Sequence, residues 1–309
     1  MIRLKIKIFN REICVCALLA TNSFMRKKQR RNGENDGEQS LSDNGDDQER
    51  KGYIMTAIRE QYPYLYETHL HTAQSSACAR SIGAEMAKAC KEYGYTGIFV
   101  TDHNWGGNTA VDRSLPWPVW VDRFEQGYLQ AAEEGQKIGL DVFYGYEAGY
   151  DGTEFLIYGV DGTWMKEHPQ IQTATVEEQY RLIHGAGGLV IHAHPFREAD
   201  YISGVRLYPQ WVDGVEGVNA THSNSRSMAH NDPAFDKRAI AYAGQHGLPL
   251  TAGSDSHDAR NLFGGGIAFR RRIRSAKDYA QAILSGEDYV LTNGEVWFDK
   301  AGNPVEEKK

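Results

Sequence analysis

Apolar residues in this chain gather in six short runs, and each run closes on a side chain able to bind a metal. The runs span residues 64–71 (YLYETHLH), 98–103 (IFVTDH), 142–147 (VFYGYE), 189–194 (LVIHAH), 215–222 (VEGVNATH) and 248–257 (LPLTAGSDSH). Between them the apolar positions switch to helical spacing. Helices are expected over 81–93, with Ser81 as N-cap and Gly94 as stop, and over 117–138, 176–184, 232–246 and 276–284, with Pro233 in the first turn of the fourth. Short strands at 155–160, 266–270 and 289–292 fill the gaps. Strand then helix, repeated through short connections, predicts a parallel sheet closed into a barrel. Strand C-termini in such a barrel converge on one face, so ligands remote in sequence meet in space and a polynuclear metal site is the natural reading.

Composition narrows the choice of partners. With 309 residues, 41% of them hydrophobic, the chain can bury a full core and sits in the range of a single α/β barrel. No apolar stretch approaches the roughly 20 residues needed to cross a bilayer, so no membrane association is expected. A net charge of -7 is a poor footprint for a nucleic-acid backbone. No stable nucleic-acid complex is expected, although a short or monomeric nucleotide can still enter a metal-neutralised pocket. Cys14, Cys16, Cys78 and Cys90 have the spacing of neither a disulfide framework nor a zinc ribbon, which favours a reducing cytoplasm. Nothing in the sequence fixes an oligomeric state.

Residues 1–54 differ from the rest: a short apolar segment at 13–20, a basic run at 26–31 (RKKQRR) and a polar, Gly-rich tract that cannot form a core. They read as a degenerate signal, as a basic tail or, with more weight, as sequence upstream of the true start. Glu49-Arg50-Lys51-Gly52 is what a purine-rich ribosome-binding site gives when translated in frame, and Met55 follows at a suitable distance. The expected division is thus a disordered extension over 1–54 and the main domain over 55–309.

The strand-end residues carry the chemistry. His69 and His71 flank Leu70, so the period of two along a strand aims both imidazoles the same way, as half of a metal's coordination shell. Glu147 follows Gly145, and its two oxygens can bridge two cations. Asp255 and His257 close a Gly-Ser-Asp-Ser-His turn, His103 follows Asp102, His194 precedes Pro195, and His222 lies six residues after Glu216. His192, two before His194, is expected to point the same way but one layer deeper, in a supporting or core role. Arg197, just past His194, is a candidate phosphate clamp, because a guanidinium grips two phosphate oxygens; a surface ion pair is the alternative. Arg113 sits in the loop 105–120, whose three tryptophans either stack on a substrate or pack over the barrel end. Residues 270–274 (RRRIR) read as a solvated rim. His184 and His246 fall at predicted helix C-termini, and His168 and His230 in loops.

The order HxH, DH, Glu, HP, E-x5-H and SDxH, over about residues 64–295, resembles the polymerase and histidinol phosphatase (PHP) family of metal-dependent phosphoesterases. The resemblance implies a distorted (βα)7 TIM-like barrel with two or three divalent cations, Mn2+, Zn2+ or Fe2+, at its C-terminal face. It places His69, His71, Glu147 and Asp255 on the first metal, Glu147 as a bridge to a second held by His194 and His222, and His103 and His257 at a third. Ser76 is expected where many members carry an Asp for that third metal, which leaves the position weak or empty. Glu67 replaces the family's usual Asp and is expected to support rather than ligate. The implied activity is hydrolysis of a phosphate ester on a small molecule: a phosphomonoester, sugar phosphate, histidinol phosphate or nucleotide. Glu147, His103, His257 and Arg197 are its catalytic candidates. A nuclease acting on short oligonucleotides and a non-catalytic, metal-stabilised binding module are the alternatives.

Overall fold

The computed structural model describes Lys5–Ile8, Arg11–Cys14 and residues 57–305. Lys5–Ile8 and Arg11–Cys14 pair antiparallel in a separate unit. The remainder of the expected extension, with Met55, lies outside the described residues.

The main unit is a mixed α/β fold around one ten-stranded sheet. Its strands in chain order are β1 (Tyr64–Glu67), β2 (Gly97–Val100), β3 (Asp141–Tyr150), β4 (Thr153–Tyr158), β5 (Leu189–Ala193), β6 (Gly214–Asn219), β7 (Leu250–Gly253), β8 (Gly265–Phe269), β9 (Tyr289–Asn293) and β10 (Trp297–Phe298). They are arranged β10-β9-β8-β1-β2-β3-β4-β5-β6-β7. β1-β2-β3 and β5-β6-β7 are parallel, as the strand–helix alternation predicts. β4 runs against both neighbours, and β8, β9 and β10 are also antiparallel. The all-parallel expectation therefore fails at these strands. For β4 the cause is local: Asp151 and Gly152 both take positive φ (51° and 84°), the backbone of a two-residue hairpin turn, so the chain reverses at once.

The sheet curls until its β7 edge approaches β1. Beyond β1, His71 N donates to Ser256 O (2.8 Å), and Ser256 N donates to His69 O (3.1 Å), joining the chain past β1 to the chain past β7. Gly253 permits this approach, since a Cβ there would sit 2.5 Å from the Cβ of His69. The result is a curled half-barrel whose interior is filled by Tyr66, Phe99, Leu156, Ile191 and Ile267.

The helices are α1 (Gly83–Tyr93), α2 (Trp117–Phe124), α3 (Gln126–Ile138), α4 (Gly162–Glu167), α5 (Val176–Gly185), α6 (Ala220–Ser223), α7 (Pro233–His246) and α8 (Ala276–Leu284), the last of which packs Tyr279 on Phe99 and Tyr158. The expected helix over 117–138 is two, divided at Glu125. Gly94 ends α1 in the left-handed conformation, as expected, while the N-cap is Ile82 rather than Ser81. Asp232 caps α7 through Ala234 N. Among the described residues no helix is long and apolar enough to cross a membrane.

Candidate metal centre

Glu147 lies within β3, not at its end, in the part of the strand that runs on beyond β2. Its carboxylate touches four imidazoles, two at each oxygen. Oε1 is 3.2 Å from His69 Nε2 and 3.0 Å from His194 Nε2; Oε2 is 3.6 Å from His71 Nε2 and 2.7 Å from His103 Nδ1. Asp255 closes the other side, with Oδ1 3.4 Å from His69 Nε2 and 3.1 Å from His71 Nε2. His257, with Nδ1 3.6 Å from Asp255 Oδ1, stacks on His71 at 4.3 Å between ring centroids. Seven of the eight expected ligands thus converge.

The backbone bends to bring them in. His194 and Asp255 have positive φ (27° and 55°), an uncommon conformation for residues other than glycine and one that recurs at functional sites. It also separates His194 from His192. Strand alternation turns His192 to the outer face of β5, opposite Phe155 in register and stacked on it at 5.0 Å, away from the cluster. His192 is therefore a core residue that does not point with His194. Burial, and secondarily the charge of His194, hold its imidazole down at about 3.

A surrounding layer orients these ligands. Glu216, known from the sequence only as a spacing mark, sets Oε1 2.9 Å from His69 Nδ1 and accepts His194 N with Oε2. That turns His69 Nε2 toward Glu147. Glu67 supports rather than ligates, as expected: its Oε1 accepts the backbone N–H groups of His69 and Ser254, and burial pushes its carboxyl up to about 7. Asp102 accepts Thr72 N, Thr72 Oγ1 and Ser76 Oγ, each at 2.6 Å. Ser76 is consequently turned onto Asp102 and His103 N, with His71 Nδ1 3.2 Å from its hydroxyl. It orients two histidines and does not stand at a ligand position.

His222 stands apart from the other seven. It rides on the one-turn α6 rather than on β6, its Nδ1 faces Asp236 Oδ1 at 2.8 Å, and its Nε2 accepts from Arg197 Nε at 3.0 Å. Its ring is 6.3 Å from that of His194, so a cation between them requires the Arg197 contact to open. Arg197 is buried, with Nη2 2.6 Å from Asp255 Oδ2, which rules out the surface ion pair. Arg113 instead holds its own loop, donating from Nε to Trp105 O. The loop tryptophans pack together, Trp105 edge-on to Trp117 at 5.0 Å and Trp117 stacked on Trp120, and of this loop Gly106, Gly107 and Asn108 line the cavity. Arg270, Arg271 and Arg272 pair with carboxylates on the surface, as expected of a solvated rim.

Two residues of the centre escaped the sequence reading. Glu154, just after the Asp-Gly turn, lies 3.5 Å from His103 Nδ1 and 3.7 Å from His194 Nε2. The turn dipeptide would have revealed it, because the hairpin register puts Glu154 diagonal to Glu147 on the same face. Cys78 Sγ is 3.1 Å from His257 Nε2. No motif flags Cys78.

The donor set fits cations. His69 Nε2, His71 Nε2, His103 Nδ1 and Glu147 Oε2 are buried without a hydrogen-bond partner, a costly arrangement for a purely structural cluster. Ligand atoms within 4.8 Å of one another form four groups: His71/His103/His257, His69/His71/Glu147, His69/His194/Asp255 and His103/Glu147/Glu154. The charges are mutually supporting. Burial opposes the Glu147 anion, but His69 and His103 outweigh it and hold the carboxyl well below its usual range. Burial likewise opposes a proton on His69, and Glu216, Asp255 and Glu147 override it and raise the imidazole. His71 is pushed down by burial, His257 and His103. For Cys78, the imidazoles of His103 and His257 outweigh burial and bring the thiol down to about 6. Above the cluster opens a cavity of about 910 Å3, lined by Arg197, Glu154, Tyr201, Arg226, His230 and His257 among others.

The PHP domain model matches residues 67–285. No curated protein matches the sequence. Among solved structures, a two-domain protein from Bacteroides vulgatus, described as containing a predicted PHP-like metal-dependent phosphoesterase, superposes with a TM-score of 0.56 at 13% identity over 76% of this chain. The match spans 66% of that protein's length. PsfC from Pseudomonas syringae matches at 17% identity over 70% of this chain and 87% of its own (TM-score 0.47). Histidinol phosphate phosphatase from Lactococcus lactis, complexed with zinc, L-histidinol and phosphate, matches at 12% identity over 78% and 99% (TM-score 0.34). With the family model covering most of the fold and a multi-metal donor set at its centre, this chain belongs to the PHP family of metal-dependent phosphoesterases.

Proposed function

We propose that this protein hydrolyses a phosphate ester on a small molecule, with a phosphomonoester as the favoured class. The observation that carries the reading is Glu147: one carboxylate with two imidazoles at each oxygen and Asp255 opposite has the form of a bridge between two cation positions. The residues suited to the first position are His69, His71, Glu147 and Asp255. Those suited to the second are Glu147 and His194, with Glu154 beside them and His222 available once Arg197 moves. Divalent cations, when bound, supply the positive charge that polarises a phosphoryl group and activates water.

The chain's own groups do the rest. Arg197, buried and facing the cavity, can turn its guanidinium from Asp255 and His222 onto two phosphate oxygens. Glu216, Asp102 and Ser76 keep the imidazoles from rotating, so little reorganisation accompanies the reaction. A histidine that carries no cation, His103 or His257, can protonate the leaving oxygen. A cavity of about 910 Å3 suits a sugar phosphate, histidinol phosphate or mononucleotide. The barrel with seven strand–helix units remains part of this reading only as the form from which the curled sheet departs. Free Cys78 and Cys90 agree with a cytoplasmic setting.

Metal-loaded protein screened against phosphomonoesters, nucleotides and short oligonucleotides tests the proposal. Release of inorganic phosphate from one or more monoesters is the expected result. Cleavage confined to oligonucleotides would replace it with the nuclease alternative, and inertness toward every substrate class would favour the binding module.

A further inference from the structure

Cys78 stands where neither the Glu147 cluster nor the proposed hydrolysis requires a sulfur. The short segment that carries it is tied down on both sides. Ala77 N donates to Asn108 O (2.9 Å), in the loop after β2 that follows His103, and Arg80 N donates to the carbonyl of His257 itself (2.8 Å). Cys78 is thus held between the two histidines that the Glu147–Asp255 cluster leaves at its cavity edge.

The proton on His257 fixes what that contact can be. His257 Nδ1 lies 2.8 Å from the backbone carbonyl of Asp255, which only accepts, so Nδ1 carries the hydrogen and Nε2 bears the lone pair. That lone pair points at Cys78 Sγ from 3.1 Å. A nitrogen at about 2.1 Å and a sulfur at about 2.3 Å from one tetrahedral ion stand roughly 3.5 Å apart, so a small relaxation separates the observed contact from a shared cation. His103 is the third member: its ring is 6.1 Å from that of His257, and it offers a ligand atom within 4.8 Å of those of His257 and His71.

We propose that Cys78, His103 and His257 form a three-ligand site for a thiophilic divalent cation such as Zn2+, with its fourth side open to the cavity. This deepens the phosphoesterase reading and rests on it. It also revises the expectation of a weak third position. The anionic ligand sought at Ser76 is a sulfur two residues later, and Ser76 has the separate task of holding Asp102 and His71. Where both imidazoles bind this cation, neither remains to protonate a leaving group.

Cobalt(II) reports sulfur ligation directly, through an intense sulfur-to-metal charge-transfer band in the near ultraviolet that nitrogen and oxygen ligands do not give. Metal-stripped full-length protein is titrated with Co2+, and bound cobalt is counted by elemental analysis after gel filtration. The difference between wild type and Cys78→Ser cancels any contribution from Cys14, Cys16 or Cys90. Wild type is expected to show the band and Cys78→Ser to lose it together with about one retained equivalent. Cys78→His, which restores a ligand without sulfur, should recover the equivalent without the band. Cobalt bound by wild type with no band, or a band that survives in Cys78→Ser, overturns the sulfur site while leaving the Glu147 cluster standing. Failure of both proteins to retain any cobalt overturns the sulfur site and the phosphoesterase reading together.

Discussion

The histidines on the two sides of this cavity have the same sequence signature and opposite surroundings. On one side His69, His71 and His103 crowd the carboxylates of Glu147 and Asp255 with nitrogens that lack a hydrogen-bond partner. On the other, His222 is satisfied twice, by Asp236 at Nδ1 and by Arg197 at Nε2. Position near a strand end therefore selects candidates, and the partners of each ring nitrogen sort them. The crowded side is built to receive positive charge. The satisfied side already contains it, in a guanidinium that can be spent on a phosphate.

The comparison breaks most visibly at Glu147. Glu147→Gln should lower turnover by about 10^3-fold and reduce metal content at two positions, because one change removes the charge shared by four imidazoles. His71→Ala should cost less, and equal losses would contradict the bridge. Next, Ser76→Asp sets a second carboxylate against Asp102 in a fully buried position and should destabilise the fold by about 3 kcal/mol, read from urea unfolding. An unchanged midpoint with a gain in retained metal would restore Ser76 as the ligand position.

A smaller effect concerns His192, the histidine on neither side. Its folded value is depressed to about 3 from 6.5, so the unfolded chain binds the proton more readily below pH 6.5. Stability present above pH 6.5 is lost as pH falls toward 3, by about 2 kcal/mol at pH 5. His192→Phe should flatten that part of the pH profile, and an unaltered slope would show that His192 does not carry it. Smallest is Arg197→Lys, which keeps the charge but not the fork and should raise KM about tenfold with little change in kcat. A loss confined to kcat would instead place Arg197 at the transition state alone.

Much of this was legible in the sequence because periodicity and spacing report local geometry. The HxH pair, Glu147, and the Asp255/His257 turn could be read without knowing which strands were neighbours. Glu154 is legible only through the Asp151-Gly152 turn, which reverses a region that otherwise reads as one more barrel strand. His192 was misplaced because alternation was carried through His194, where a φ of 27° breaks it. The roles of Ser76 and Cys78 depend on hydrogen-bond partners distant in sequence, Asp102 and His257, which no local pattern specifies.

The most direct test of the central claim is phosphate release from the monoester preferred in the substrate screen, measured on protein stripped by chelation and then reloaded. Turnover should fall to background in the stripped protein and return with added Mn2+, Zn2+ or Fe2+. Full turnover by protein that elemental analysis shows to be free of metal would contradict it.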